Sequence, residues 1–109
     1  MAYDEDLAAR VREEMAGGPG VTEKRMFGGL AFLVDGRLAC SVTREGLLVR
    51  VGTDGAPAAL AENGVRTLDM GGRPMKGWVL VDPAEVAVED ALRRWVQRGA
   101  GFARSLPGK

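Results

Sequence analysis

The chain contains no histidine and a single cysteine, Cys40. Without an imidazole it lacks the commonest general base, the commonest neutral metal ligand and every Ser–His or Cys–His nucleophile pair. Zinc sites built on thiolates need more than one cysteine. Carboxylates are plentiful, but the spacing sets them on helix faces or in turns, away from apolar surroundings that would raise a pKa toward neutrality. Gly28-Gly29 and Gly71-Gly72 lack the further glycines of phosphate and dinucleotide loops. The residue types therefore predict no catalytic group, no metal and no cofactor. An enzyme of unrecognised mechanism is kept as one alternative.

Cys40 alternates with Leu38 and Val42, and no basic residue adjoins it on that face to lower its pKa. It is expected to be a small buried hydrophobe on the inward side of a strand. Two other segments have more to offer. Arg25-Met26-Phe27-Gly28-Gly29 sets a bulky apolar pair against two glycines. Gly71-Gly72-Arg73-Pro74-Met75-Lys76-Gly77-Trp78 combines a kinked loop, two cations and a large aromatic. Paired glycines let a partner backbone approach, and Arg, Met and Trp are favoured at interface centres. Arg25, Met26, Gly28, Arg73, Met75 and Lys76 form the candidate interaction surface, with Gly71 to Trp78 expected near Met26 and Gly28. Phe27 and Trp78 themselves are expected in the core.

The elements that must hold these residues follow from periodicity. Asp4 to Ala16 carries Leu7, Val11 and Met15 on one helical stripe, with Ala8 beside it and acidic residues in the first turn; Asp6 can pair with Arg10. Leu30 to Val34, Arg37 to Thr43 and Leu47 to Val51 read as a three-stranded antiparallel meander, its first turn marked by Asp35-Gly36. Asp54 to Asn63 is Ala-rich and ends at Gly64, as a short helix would. Thr67 to Met70 and Lys76 to Val81 read as two more strands. From Glu89 onward Leu92, Trp95, Val96, Gly99, Phe102 and Ala103 recur at helical spacing, with Glu89–Arg93 and Asp90–Arg94 as exposed pairs and Trp95 and Phe102 expected to seal the helix onto the sheet. The fold class is α+β, an antiparallel sheet with flanking helices in the order α-β-β-β-α-β-β-α.

At 109 residues one domain spanning residues 1–109 is expected. Fifteen basic residues balance fifteen acidic ones, which removes the broad basic footprint of a protein that grips duplex DNA through phosphates. The longest apolar run, Leu30 to Val34, is far too short to cross a bilayer, and the acidic N-terminus is unlike a secretory leader. With its lone cysteine, the chain is expected to be cytoplasmic. Leu30-Ala31-Phe32-Leu33-Val34 is apolar on both faces, so a face left bare by the helices would favour a homodimer.

Taken together, the opening Ala2-Tyr3-Asp4-Glu5-Asp6-Leu7, Val21-Thr22-Glu23-Lys24-Arg25-Met26-Phe27-Gly28-Gly29, Val49-Arg50-Val51-Gly52, Gly72-Arg73-Pro74-Met75-Lys76-Gly77-Trp78 and Phe102-Ala103-Arg104-Ser105-Leu106-Pro107 resemble the N-terminal domain of the TfoX/Sxy family. The resemblance covers essentially the whole chain. It implies a fold of one helix, three strands, a helix, two strands and a helix. It also implies kinship with regulators of natural competence, which act with the cyclic-AMP receptor protein and carry a second, C-terminal domain related to helix-hairpin-helix modules. This chain is expected to be a stand-alone N-terminal module, and the resemblance supplies no catalytic residue. The expected function is a non-enzymatic regulatory module that binds a protein partner and does not bind duplex DNA directly. The second alternative is a small-molecule or anion-binding protein using Arg25, Arg73 and Lys76.

Overall fold

The computed structural model describes residues 4–16, 18–26, 29–67, 69–70, 73–74 and 76–106, with backbone alone for Asp69, Met70, Arg73 and Pro74. Helix α1 (Glu5–Met15) starts at Asp4, whose carboxylate accepts from the backbone N–H groups of Asp6 and Leu7. That satisfies two of the orphan donors every helix start leaves. Leu7, Ala8, Val11 and Met15 are its buried stripe, as the spacing predicts. Arg10 does not turn to Asp6; its guanidinium donates to the Ala87 carbonyl at 3.3 Å and ties α1 to a distant loop.

Four strands follow: β1 (Val21–Met26), β2 (Gly29–Val34), β3 (Arg37–Thr43) and β4 (Gly46–Arg50). The meander therefore has one more strand than its apolar pattern predicts. β1 is invisible to that pattern because none of its six residues is fully buried. It reads Val-Thr-Glu-Lys-Arg-Met, an edge strand whose charges guard it against stray pairing. A short helix α2 (Ala56–Leu60) leads to β5 (Val65–Arg66), then to a separate hairpin of β6 (Asp69–Met70) and β7 (Arg73–Pro74), and back to β8 (Trp78–Val81). The main sheet is six-stranded and antiparallel, in the order β1-β2-β3-β4-β8-β5. The α+β class stands, with an additional strand in front and Val65–Arg66 doing the pairing expected of Thr67–Met70. Asp82-Pro83 starts a further helix, α3 (Pro83–Val86): the Asp82 carboxylate accepts from Ala84 N–H at 2.9 Å, and proline occupies the first turn, where it costs no hydrogen bond. Helix α4 (Glu89–Ser105) closes the described chain.

Two rows of side chains face the helices. Leu30, Val42, Leu47 and Val81 form one, and Phe32, Cys40, Val49 and Val79 the next. Leu92, Trp95, Val96, Gly99, Ala100 and Ala103 of α4 pack down on them, beside the stripe of α1. Each fully buried Leu, Val or Phe removed from water contributes about 1.5–3 kcal/mol. In β3 the alternation breaks: Phe32 pairs with Cys40, yet Leu33 pairs with Leu38. Ala39 is thus the extra residue of a bulge and joins the core, while Leu38 turns to the other face. The expected neighbour relation of Leu38 and Cys40 on one face is corrected by that bulge.

The opposite face carries Ala31, Ser41, Leu48 and Leu80 in one row, exposed by 0%, 5%, 8% and 1%. Among the described residues this row of the sheet is not left bare. Among the described residues the exposed large hydrophobic side chain is Val88, between α3 and α4. The patch argument for a homodimer therefore has no footing on this sheet.

Candidate functional site

The residues singled out in the sequence do not gather in one place. Arg25 and Met26 end the edge strand β1, Arg25 exposed and Met26 half-buried. Lys76 is exposed in the turn before β8. Three strands separate β1 from β8, so about 4.8 Å per step puts them roughly 19 Å apart across the sheet. They also lie at opposite ends. Met26 pairs with Gly29, at the end where β3 stops at Thr43 and β4 starts at Gly46, whereas Lys76 lies beyond Arg50 and Trp78 at the other. The expected neighbourhood of Met26 and the Gly71–Trp78 segment is not formed by these two residues. Arg73 lies in β7, paired with Met70; Gly28 and Met75 fall outside the described residues.

A different cluster does form where β4 ends and β8 begins. Arg50 and Trp78 are cross-strand partners. The Arg50 guanidinium carbon lies 5.9 Å from the Trp78 ring centroid and 5.5 Å from that of Phe102, at the far end of α4. One of its nitrogens donates to the Leu38 carbonyl at 3.5 Å, at the long limit for such a bond. Gly52 and Gly77 complete the corner. Both have positive φ, 82° and 83°, and the Gly77 carbonyl accepts from the N–H groups of Val51 and Gly52. A Cβ on Gly52 would lie 2.4 Å from the Phe102 ring, so the absence of a side chain there is what admits Phe102. Among the described residues no carboxylate pairs with Arg50, unlike Arg12, Arg93, Arg94 and Arg98.

Sequence reasoning passed over this corner because Trp78 and Phe102 both read as core residues, yet both are only half-buried and stand outside the core cluster. One signal was present: Arg50 is the lone cation in the apolar run Leu47-Leu48-Val49-Arg50-Val51. Three of the segments that carry the family resemblance, around Arg50, Trp78 and Phe102, meet here.

The remaining chemistry is closed or shared out. Cys40 is fully buried, and desolvation pushes its thiol up to about 12. Glu62 takes both Arg94 (3.3 Å) and Arg98 (2.6 Å), so Arg94 does not turn to Asp90 as its spacing suggests; Arg93 takes Glu14, Glu89 and Asp90 instead. Between the end of α1 and α4, Met15, Gly18, Val96, Ala100 and Arg104 line an open groove of about 220 Å³, smaller than the roughly 300–1,000 Å³ of drug-sized ligand sites. Among the described residues no three Cys, Asp or Glu side chains converge as metal ligands, and no helix is long and apolar enough to cross a membrane.

No curated protein and no solved structure matches this chain. A family model does, over residues 13–103 of the 109, and those residues contain the whole six-stranded sheet, the Arg50–Trp78–Phe102 corner and the buried stripe of α4. The chain belongs to the TfoX N-terminal domain family.

Proposed function

We propose that this chain is a non-enzymatic binding module that works in a regulatory setting through contact with another protein. Membership of the TfoX N-terminal domain family is the observation that carries the reading. The site chemistry supports it: the only thiol is buried with its pKa raised, and the cations Arg25 and Lys76 stand at opposite ends of the sheet, too far apart to share one small anion. The edge strand β1 adds a protein-like surface. Gly20 O accepts from Asp35 N–H, so alternation turns the backbone groups of Val21, Glu23 and Arg25 away from β2. Duplex DNA is not the direct partner in this reading, since zero net charge offers few phosphate contacts.

The test is to purify the complex formed by the tagged chain in its host, then rebuild it from two purified proteins. A defined partner that rebinds at one-to-one stoichiometry supports the reading. A micromolar mobility shift of duplex DNA by the purified chain at physiological salt, or turnover of a small-molecule substrate, would overturn it.

A further inference from the structure

Arg50 is half-buried, has no counter-ion among the described residues and makes one long hydrogen bond. A cation partly withdrawn from water without a carboxylate partner is costly unless something else meets its N–H groups. The Trp78 and Phe102 rings lie 5.9 and 5.5 Å from the guanidinium carbon, which suits ring quadrupoles, and apart from the nitrogen that reaches Leu38 the N–H donors have no partner among the described residues. Those in-plane donors match a carboxylate in bidentate fashion. The side chain is also held in place by Leu38, Trp78 and Phe102, so less freedom is lost on binding than for a free surface arginine. We propose that Arg50 is an oxyanion contact of this domain. It takes the carboxylate of an acidic side chain on a partner polypeptide, and Trp78 and Phe102 form the apolar walls. Lys76, exposed two residues before Trp78, favours an acidic segment over a single isolated carboxylate; Asp54, exposed beyond Gly52, sets a limit to how far such a segment extends on that side. The inference rests on the binding-module reading and narrows it to partner chemistry.

The experiment uses the full chain and nuclear magnetic resonance of its arginine Nε–H and tryptophan indole N–H groups. Tetraglutamate peptide is titrated at fixed ionic strength against tetraserine and inorganic phosphate. The expected result is saturable movement of the Arg50 and Trp78 signals with tetraglutamate. Trp95, which is buried and stacked by Arg98 at 4.3 Å, should stay fixed. Arg50→Lys keeps the charge but loses the fork, and should weaken binding by at least about tenfold. The wild-type comparison of Trp78 with Trp95 decides the matter even where the variant folds poorly. No saturation, equal movement of both indoles, or saturation by phosphate alone would overturn the proposal. Failure of this titration beside a successfully rebuilt protein complex would remove Arg50 as the contact and leave the module reading intact.

Discussion

Gly99 of α4 lies so close to the bulge in β3 that a Cβ on it would sit 2.5 Å from the Ala39 carbonyl oxygen and 3.3 Å from a Val49 methyl. The obstacle is backbone, which cannot swing aside. The longest helix therefore crosses the sheet at its irregular point, with a glycine as the contact. The bulge that turns Leu38 away from the core thus also fixes how closely α4 can approach.

Gly101, two residues on, meets nothing within 4 Å. The two glycines should respond in opposite directions to the same change. Gly101→Ala removes backbone entropy from the unfolded chain and should stabilise by about 0.5–1 kcal/mol. Gly99→Ala gains the same propensity but forces α4 off the sheet, for a net loss of about 1–3 kcal/mol. Urea melts of the two variants check this. A stabilised Gly99→Ala would show that α4 can slide without cost.

Trp95 and Phe102 are seven residues apart on one helix, but they are not equivalent. Trp95 is 1% exposed inside the core; Phe102 is half-buried over Gly52 and Arg50. Trp95→Ala should cost about 3–5 kcal/mol, enough to threaten folding of a small domain. Phe102→Ala should cost less, about 1–2 kcal/mol, because part of its surface is already wet. Thermal denaturation ranks them, and equal losses would contradict the assignment.

How much of this was legible in the sequence depends on which physical signal each element carries. α1 and α4 bury a continuous stripe, so 3.6-residue periodicity locates them to within a residue or two. The Asp35-Gly36 turn shows itself because that turn demands special backbone angles: Asp35 has φ 52° and Gly36 φ 80°. β1 carries no such mark, since an edge strand with exposed residues has no apolar period to detect. The bulge at Ala39 is also silent, because Leu-Ala-Cys-Ser-Val reads equally well with or without an extra residue. The separation of Arg25 from Lys76 is silent too: the two look alike in type, and only strand order reveals that four steps of sheet lie between them. Arg50, Trp78 and Phe102 could be brought together only by the β4–β8 pairing and the docking of α4.

The Arg12–Glu23 pair is the fork that fastens α1 to the edge strand, with contacts of 2.5 and 2.9 Å. The hydrogen bond from Arg12 holds the Glu23 carboxyl below its ordinary value of 4.5, against a smaller opposing effect of burial. A carboxylate with a lowered folded pKa contributes stability above the unfolded value and loses it as pH falls through the folded one. The window is thus below about pH 4.5. Both partners are substantially exposed, 53% and 33%, so the contribution is at most about 1 kcal/mol. Glu23→Gln should be less stable than wild type at pH 7 by up to that amount and equal to it near pH 2. A difference that persists at pH 2 would mean the pair acts through packing and not charge.

Cys40 gives the opposite sign at the opposite end of the pH scale. It lies between Phe32 and Val49 with no exposed surface, and its thiol is raised from 9.0 to about 12 by desolvation alone. In the native state the thiol stays protonated where the unfolded chain would ionise it. Native protein therefore binds more protons between pH 9 and 12, and stability falls as pH rises through that window, with a slope near 1.4 kcal/mol per pH unit from this group. Cys40→Ala should flatten the alkaline limb of the stability curve relative to wild type, which isolates the thiol from the lysines and tyrosine that also titrate there. The same burial makes a kinetic prediction. A thiol-specific disulfide reagent at pH 8 should label Cys40 no faster than the whole domain unfolds, and at once in denaturant. Cys40→Ser should cost about 1–3 kcal/mol, because a hydroxyl in that row has no partner. Stoichiometric labelling of native protein within seconds would place the thiol at the surface, and with it would go the reading of β3 as the central, sealed strand of the sheet.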